Sequence, residues 1–196
     1  MRALILAGGS GSRLSLGEKP LVMVDGVPMI SRIITAFQKA GCEVVVVLSP
    51  RTPFTKNWCR AHDILHYVAS GTGYVEDIVE TVQALGETGA VFTCVSDIPC
   101  IVPGIITDVL EQYHASGRDA CSVWVPLSFL DRNGCRACYV EEVDGIDACP
   151  AGINILNGSR IKEPQDEIRL LVRDRRLAFN INTREELTRM RQFLEG

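Results

Sequence analysis

The chain has 196 residues, of which 46% are hydrophobic, 22% charged and 6% aromatic. That length and mix suit one globular domain with a buried core and exclude a disordered or fibrous chain. A formal charge of −4 supplies no global basic field, so neither nucleic acid nor an anionic membrane is an expected partner.

No apolar stretch approaches the roughly 20 residues that cross a bilayer. The first apolar run, Ala3 to Ala7, is too short for a secretory signal, and the expected location is cytoplasmic. Residues 2–7 end in glycines, as a buried parallel strand does. Residues 28–40 set Ile30, Ile33, Ile34 and Phe37 at helical spacing, with Gly41 where a C-terminal cap belongs. Residues 44–48 are continuous and β-branched, which predicts a second buried strand. A short helix over 53–61 and a short strand over 64–68 follow. Gly71-Thr-Gly73 opens a helix to about Leu85, and 90–95 reads as a strand ending at Ser96-Asp-Ile-Pro99. A helix over 103–115, with proline near its start, precedes a strand over 120–125. The stretch 126–149 is turn-rich, with a strand near 137–142. Short strands are expected at 153–156 and 176–181, and a last helix over 183–194.

This alternation predicts an α/β fold, a Rossmann-like and mostly parallel sheet flanked by helices. A single domain spans 1–196, with an insertion at about 126–164. In such sheets ligands bind beyond the carboxyl ends of the strands. The loop after the first strand, the loop before the Gly71 helix and Asp97 all fall there.

Phosphate recognition needs inward backbone N–H groups and fixed positive charge. Gly8, Gly9 and Gly11 free the backbone, Ser10 and Ser12 add hydroxyls, and Arg13 and Lys19 supply charge. The pattern is neither the P-loop nor the dinucleotide fingerprint. Glycines alone could equally make a tight turn; Arg13 and Lys19-Pro20 shift the balance to a triphosphate grip.

Around Ser70, glycines at 71 and 73 let a flat base approach the backbone, and Glu76 or Asp77 can accept from guanine amines. The plainer reading has Thr72 as the helix N-cap and the acids in the first turn. Ser96 and Asp97 follow a buried strand, where a carboxylate is costly unless it is used. Asp97 suits Mg²⁺, which takes one or two carboxylates plus phosphates and water; the alternative is a turn-forming aspartate. Near the end, Thr183 and Glu186 form a capping box, which accounts for Asn182. Asn180, on the same face of the expected strand, is then the better candidate for metal or phosphate. Cys42, Cys94 and Cys121 read as buried hydrophobes. The Cys135-x-x-Cys138 pair is a weak metal or redox signal without a second pair.

Leu6-Ala-Gly-Gly-Ser-Gly-Ser-Arg13-Leu14 with Glu18-Lys-Pro-Leu21 resembles the signature of the GT-A-like nucleotidyltransferases. The resemblance implies that the backbone of Leu6, Ala7, Gly8 and Gly9 meets the base. It also implies that Arg13 and Lys19 meet the triphosphate, and that Asp97 holds the metal. Across the whole chain the similarity is to the archaeal-type GTP:adenosylcobinamide-phosphate guanylyltransferases. It is carried by Gly8 to Pro20, Ser49-Pro-Arg-Thr-Pro53 with Lys56, Ser70-Gly-Thr-Gly-Tyr-Val-Glu-Asp77, and Pro150-Ala-Gly-Ile-Asn154 with Phe179-Asn-Ile-Asn-Thr183. Residues 128–147 match least. What it implies is transfer of GMP from GTP to adenosylcobinamide phosphate with Mg²⁺, and functional sensitivity at Gly152 and Asn180. No kinase activity is expected, and a homodimer stays open. Molybdopterin or another small phosphate ester is the rival acceptor; a GTP sensor without turnover is the rival of another class. Trp58, Tyr74, Trp124 and Phe129 are candidates for an acceptor surface, although aromatic residues are more often core.

Overall fold

The computed structural model describes residues 1–9, 11, 14, 16–133 and 139–195, with only the backbone of Arg132. Ser10, Ser12, Arg13, Cys135 and Cys138 therefore lie outside the described residues. In chain order, β1 (Arg2–Leu6) is followed by a small hairpin of β2 (Met23–Val24) and β3 (Val27–Pro28), then α1 (Met29–Lys39) and β4 (Glu43–Leu48). Next come α2 (Pro53–Ala61), β5 (His66–Val68), α3 (Tyr74–Ala84) and β6 (Ala90–Val95), then α4 (Pro103–Ser116), β7 (Ala120–Pro126) and α5 (Leu127–Asn133). A hairpin of β8 (Glu141–Val143) and β9 (Ile146–Asn157), the strand β10 (Glu167–Leu171) and α6 (Arg184–Glu195) complete the chain.

The strands join in the order β10-β7-β9-β6-β1-β4-β5, with β8 on β9. Pairing is parallel for β6-β1, β1-β4, β4-β5 and β10-β7, while β9 runs antiparallel to both its neighbours. Successive side chains of a strand point to opposite faces, and β1 shows the division. Ala3 and Ile5 pack with α1, α4 and α6 around Phe37, Phe92, Ile106 and Met190. Leu4 packs on the other face with Val45, Val91 and the α3 residues Ile78 and Val82. Phe37 meets Phe92 edge-on at 5.5 Å and 74°, the geometry that aromatic quadrupoles favour. Cys42, Cys94 and Cys121 are buried in this core, as expected.

Three expectations need correction. Residues 175–178 form a 3-10 turn and not a strand; Leu177, Phe179 and Ile181 are apolar because they pack into the core. The edge strand is β10, whose Glu-Ile-Arg-Leu alternation buries only Leu170. β9 spans twelve residues where a short strand at 153–156 was expected, because Pro150 and Gly152 break its apolar run. Residues 146–157, read as part of an insertion, thus fill the gap between β6 and β7. Asp144 and Gly145, at φ 52° and 74°, make the tight turn that matches hairpin twist.

The pairing of β9 with β7 shifts register between Ser122 and Trp124, and Gly152 lies in that irregular stretch at φ 75°. A Cβ there would stand 2.5 Å from Val95 Cγ2. Gly152→Ala should lower the unfolding free energy by roughly 2 kcal/mol or more, from left-handed strain plus overpacking. Urea denaturation followed by circular dichroism checks this; an unchanged midpoint would contradict it.

Candidate functional site

Leu6 pairs with Val47 on one side and Val95 on the other, and Leu48 pairs with Val68. The carboxyl ends of β6, β1, β4 and β5 are therefore level, and the loops that follow them share one edge of the sheet. A cleft of about 350 Å³ opens there. Among its lining residues are Leu6, Gly8, Gly9, Lys19, Gly71, Thr72, Gly73, Asp77, Ser96 and Asp97. Most of the residues singled out in the sequence thus meet in one place.

One end of the cleft is built on Lys19. Gly11, at φ 63°, curls the loop back until its α-carbon rests on Lys19, leaving no space for a side chain. Glu18 then anchors the lysine to α2. Its carboxylate accepts from Phe54 N at 2.8 Å, Thr55 N at 2.6 Å and Thr55 Oγ1 at 2.5 Å. These backbone donors belong to the first turn of a helix whose N-cap, Thr52, provides no side-chain cap. Glu18 satisfies them and meets the positive end of the helix dipole. Lys19 Nζ lies 2.5 Å from Asp97 Oδ2 and 2.7 Å from Asn182 Oδ1. The lysine and aspartate side chains are only 12% and 16% exposed, so each charge needs the other. Asp97 Oδ1 is buried and accepts no hydrogen bond among the described residues, an arrangement that leaves it a donor oxygen for a hard cation.

The two asparagines exchange roles relative to the sequence reading. The capping box forms: Glu186 N donates to Thr183 Oγ1, and Glu186 Oε2 accepts from the backbone N–H of both Thr183 and Asn182. It uses only the main chain of Asn182. The amide side chain of Asn182 accepts from Lys19 and donates to Asn180 Oδ1 at 2.6 Å. Asn180 therefore supports the lysine at one remove, and the strand that was to place it is a turn. Ile181 N donates to the Asp97 carbonyl at 2.8 Å, which ties this late segment to the end of β6.

The other end is built on the loops after β4 and β5. Ser49 Oγ donates to the Gly8 carbonyl at 2.7 Å and accepts from Arg51 N at 3.2 Å. A Cβ on Gly71 would lie 3.1 Å from Ser49 Cβ, so Ser49 spaces the two glycine loops at contact distance. Gly71 is held at both of its backbone polar groups: its carbonyl accepts from Arg51 Nη2, and its N–H donates to Asp77 Oδ1 at 2.9 Å. Ser70 N donates to Glu80 Oε2 at 3.0 Å. The N-cap of α3 is Gly73, in extended backbone, and not Thr72; Asp77 and Glu80 of the helix reach back to hold the loop before it. Glu76 is exposed and folds against Gly73, so Asp77 is the acid that faces the cleft. Ser70, Ala7, Gly152 and Asn180 are not among the lining residues; Gly152 backs Val95, which does line the cleft.

Of the four aromatic candidates, Trp124 is buried against Val143 and Ala148, Phe129 packs on the core and Trp58 stacks on His62. Tyr74 alone of these lines the cleft. Its ring is half exposed, whereas its hydroxyl reaches Thr93 and Asn154, and burial pushes the phenol up to about 12. Glu18 and Arg51 stand in quoted motifs without an assigned task, and the capping box accounted for Asn182; the structure gives each a partner at the site. An acid directly before Lys-Pro was the available signal for Glu18.

The MobA-like NTP transferase domain matches residues 3–192 of the chain. The chain belongs to this family of nucleotidyltransferases. Among relatives of this MobA-like transferase, the adenosylcobinamide-phosphate guanylyltransferase of Methanocaldococcus jannaschii is 27% identical over 95% of this chain and 94% of its own. The "probable molybdenum cofactor guanylyltransferase" of Thermococcus kodakarensis is also 27% identical, over 97% and 94%. A hypothetical transferase from Thermus thermophilus shares the fold at a TM-score of 0.72, with 17% identity, 95% of this chain and 100% of that one covered. The resemblance drawn from the residues is thus borne out at the level of the family. No helix among the described residues is long and apolar enough to cross a membrane.

Glu18→Ala should lower stability by about 1 kcal/mol, the usual cost of an N-terminal cap. It should also lower nucleotide transfer more than Glu18→Gln, which can still accept from Phe54 and Thr55. Denaturation and initial-rate measurements on both variants check this, and equal activity in all three proteins would remove Glu18 from the support of Lys19.

Proposed function

We propose that the enzyme moves GMP from GTP to adenosylcobinamide phosphate in the cytoplasm, giving adenosylcobinamide-GDP and pyrophosphate. The observation that carries the chemistry is the Lys19–Asp97–Asn182 cluster at the mouth of the glycine loop. A phosphate oxygen of the acceptor forms a bond to the α-phosphorus, and the bond from that phosphorus to the α,β-bridging oxygen breaks. The acceptor is already anionic, so no general base or covalent enzyme intermediate is needed. The backbone after β1 and the Gly71 loop orient the nucleotide, which turns the reaction into an in-line encounter. Lys19, with Arg13 by resemblance, offsets negative charge on the triphosphate. Asp97 Oδ1 would hold Mg²⁺ with phosphate oxygens, and the metal would add charge neutralisation there.

Support for the acceptor comes from the relative in M. jannaschii and from the Ser49 to Pro53, Ser70 to Asp77 and Pro150 to Asn154 motifs. A molybdopterin acceptor is the second reading, favoured by the equal identity of the T. kodakarensis protein. Purified protein offered each of the four nucleoside triphosphates with each acceptor should release pyrophosphate fastest with GTP and adenosylcobinamide phosphate. Release that ignores the acceptor, or that prefers CTP, would overturn the proposal. Lys19→Ala should lower turnover at least roughly 100-fold, and near-normal turnover would remove its assigned role. Asp97→Asn should raise the Mg²⁺ concentration needed for half-maximal rate; an unchanged titration would take Asp97 off the ligand list.

A further inference from the structure

Two side chains of opposite charge, Arg51 and Asp77, line the cleft, yet no ion pair joins them among the described residues. Each is fixed to a different backbone group of one residue: Arg51 donates to the Gly71 carbonyl and Asp77 accepts from the Gly71 N–H, so they hold the two peptide groups that flank its α-carbon. Gly71 holds them apart and in a set order. A guanidinium has five N–H donors and an aspartate carboxylate two oxygens, so each keeps bonding capacity beyond its contact with Gly71.

Their position separates them from the phosphate end. Asp97 follows β6, whereas Arg51 follows β4 and Gly71 follows β5, two and three strands further along the sheet. At about 4.8 Å per strand the two ends lie roughly 10–15 Å apart. With Lys19 and Asp97 at the triphosphate, the base falls at Arg51 and Asp77.

We infer that Arg51 and Asp77 read the edge of the purine, Arg51 donating to the oxygen at C6 and Asp77 accepting from the N–H groups at N1 and C2. Guanine presents along this edge an acceptor followed by donors, the complement of a guanidinium followed by a carboxylate. Adenine presents an amine at C6 and an acceptor at N1, which sets donor against donor and acceptor against acceptor. A site built to bond one pattern rejects the other because its own polar groups are left unpaired. Arg51 is then a specificity-determining residue, and this inference rests on GTP being the donor nucleotide.

Calorimetric titration of the full chain with GTP, ITP and ATP tests it, since the three share one triphosphate and differ in the base edge. Arg51→Ala should weaken GTP and ITP binding roughly ten- to a hundred-fold, the value of one hydrogen bond from a charged donor. ATP, which lacks the C6 oxygen, should change by less than about threefold. Equal losses for GTP and ATP would show a loop-positioning or phosphate contact and overturn the inference, as would unchanged GTP binding. Asp77→Asn supplies an independent arm: its amide oxygen still accepts from Gly71, but its NH₂ faces the base, so the preference for GTP over ITP should shrink. An undiminished preference would remove Asp77 from base reading. Wild-type protein that binds CTP more tightly than GTP would instead overturn the donor assignment, and would do so before any variant is made.

Discussion

The site depends on a register. Leu6 sits level with Val47 and with Val95, and that alignment brings three separate loops to one edge at bonding distance from each other. A one-residue slip between neighbouring strands would turn every side chain of the slipped strand to the opposite face. The buried residues on both faces of β1 forbid such a slip, because Leu4 and Ile5 enter different cores. The hydrophobic cores therefore specify the site geometry without contributing an atom to it.

On that edge the chain has a problem of charge. A lysine and an aspartate are held mostly away from water, where each alone would be costly. Pairing offsets the cost, and Asn182 adds an acceptor to the lysine without adding a third charge. An acid at 182 would give Lys19 two carboxylates and leave an excess of negative charge in a partly buried place; an amide avoids it. Glu18 is charged but spends its carboxylate on the first turn of α2, so its field is largely absorbed by the helix dipole. The net result is an end of the cleft in which Glu18 is committed to α2, Asp97 neutralises the lysine with one oxygen and keeps the other unbonded among the described residues, and the lysine lines the cleft.

Much of this was legible in the residues, and the boundary of what was not has a physical meaning. The helix over 53–61 and the strand over 90–95 were readable to the residue, because local periodicity and proline or glycine punctuation agree with tertiary packing there. The loop glycines, Lys19, Asp97 and the Gly71 turn were readable because their chemistry is unusual for their position. The role of Asn182 was hidden because a capping box explains that segment completely at the local level; only the approach of Lys19, 163 positions away, gives its side chain a task. Arg51 was visible only as a member of the Ser49 to Pro53 motif; its contact with Gly71 appears only in the fold. The run at 176–181 misled for the opposite reason: apolar burial in a turn is indistinguishable from burial in a strand when it is read one residue at a time.

β9 carries a consequence for how the molecule is made. It enters between β6 and β7, antiparallel to both, although those strands precede it in the chain. Until residues 146–157 emerge from the ribosome, β6 and β7 each present an open row of N–H and C=O groups, the kind of edge that recruits foreign strands. The strands β1, β4, β5 and β6 all lie in the N-terminal half, but the flank of β6 takes its partner from a strand made later. Closure of that flank brings Gly152 against Val95, so the strand that completes the sheet also seals the back of the cleft.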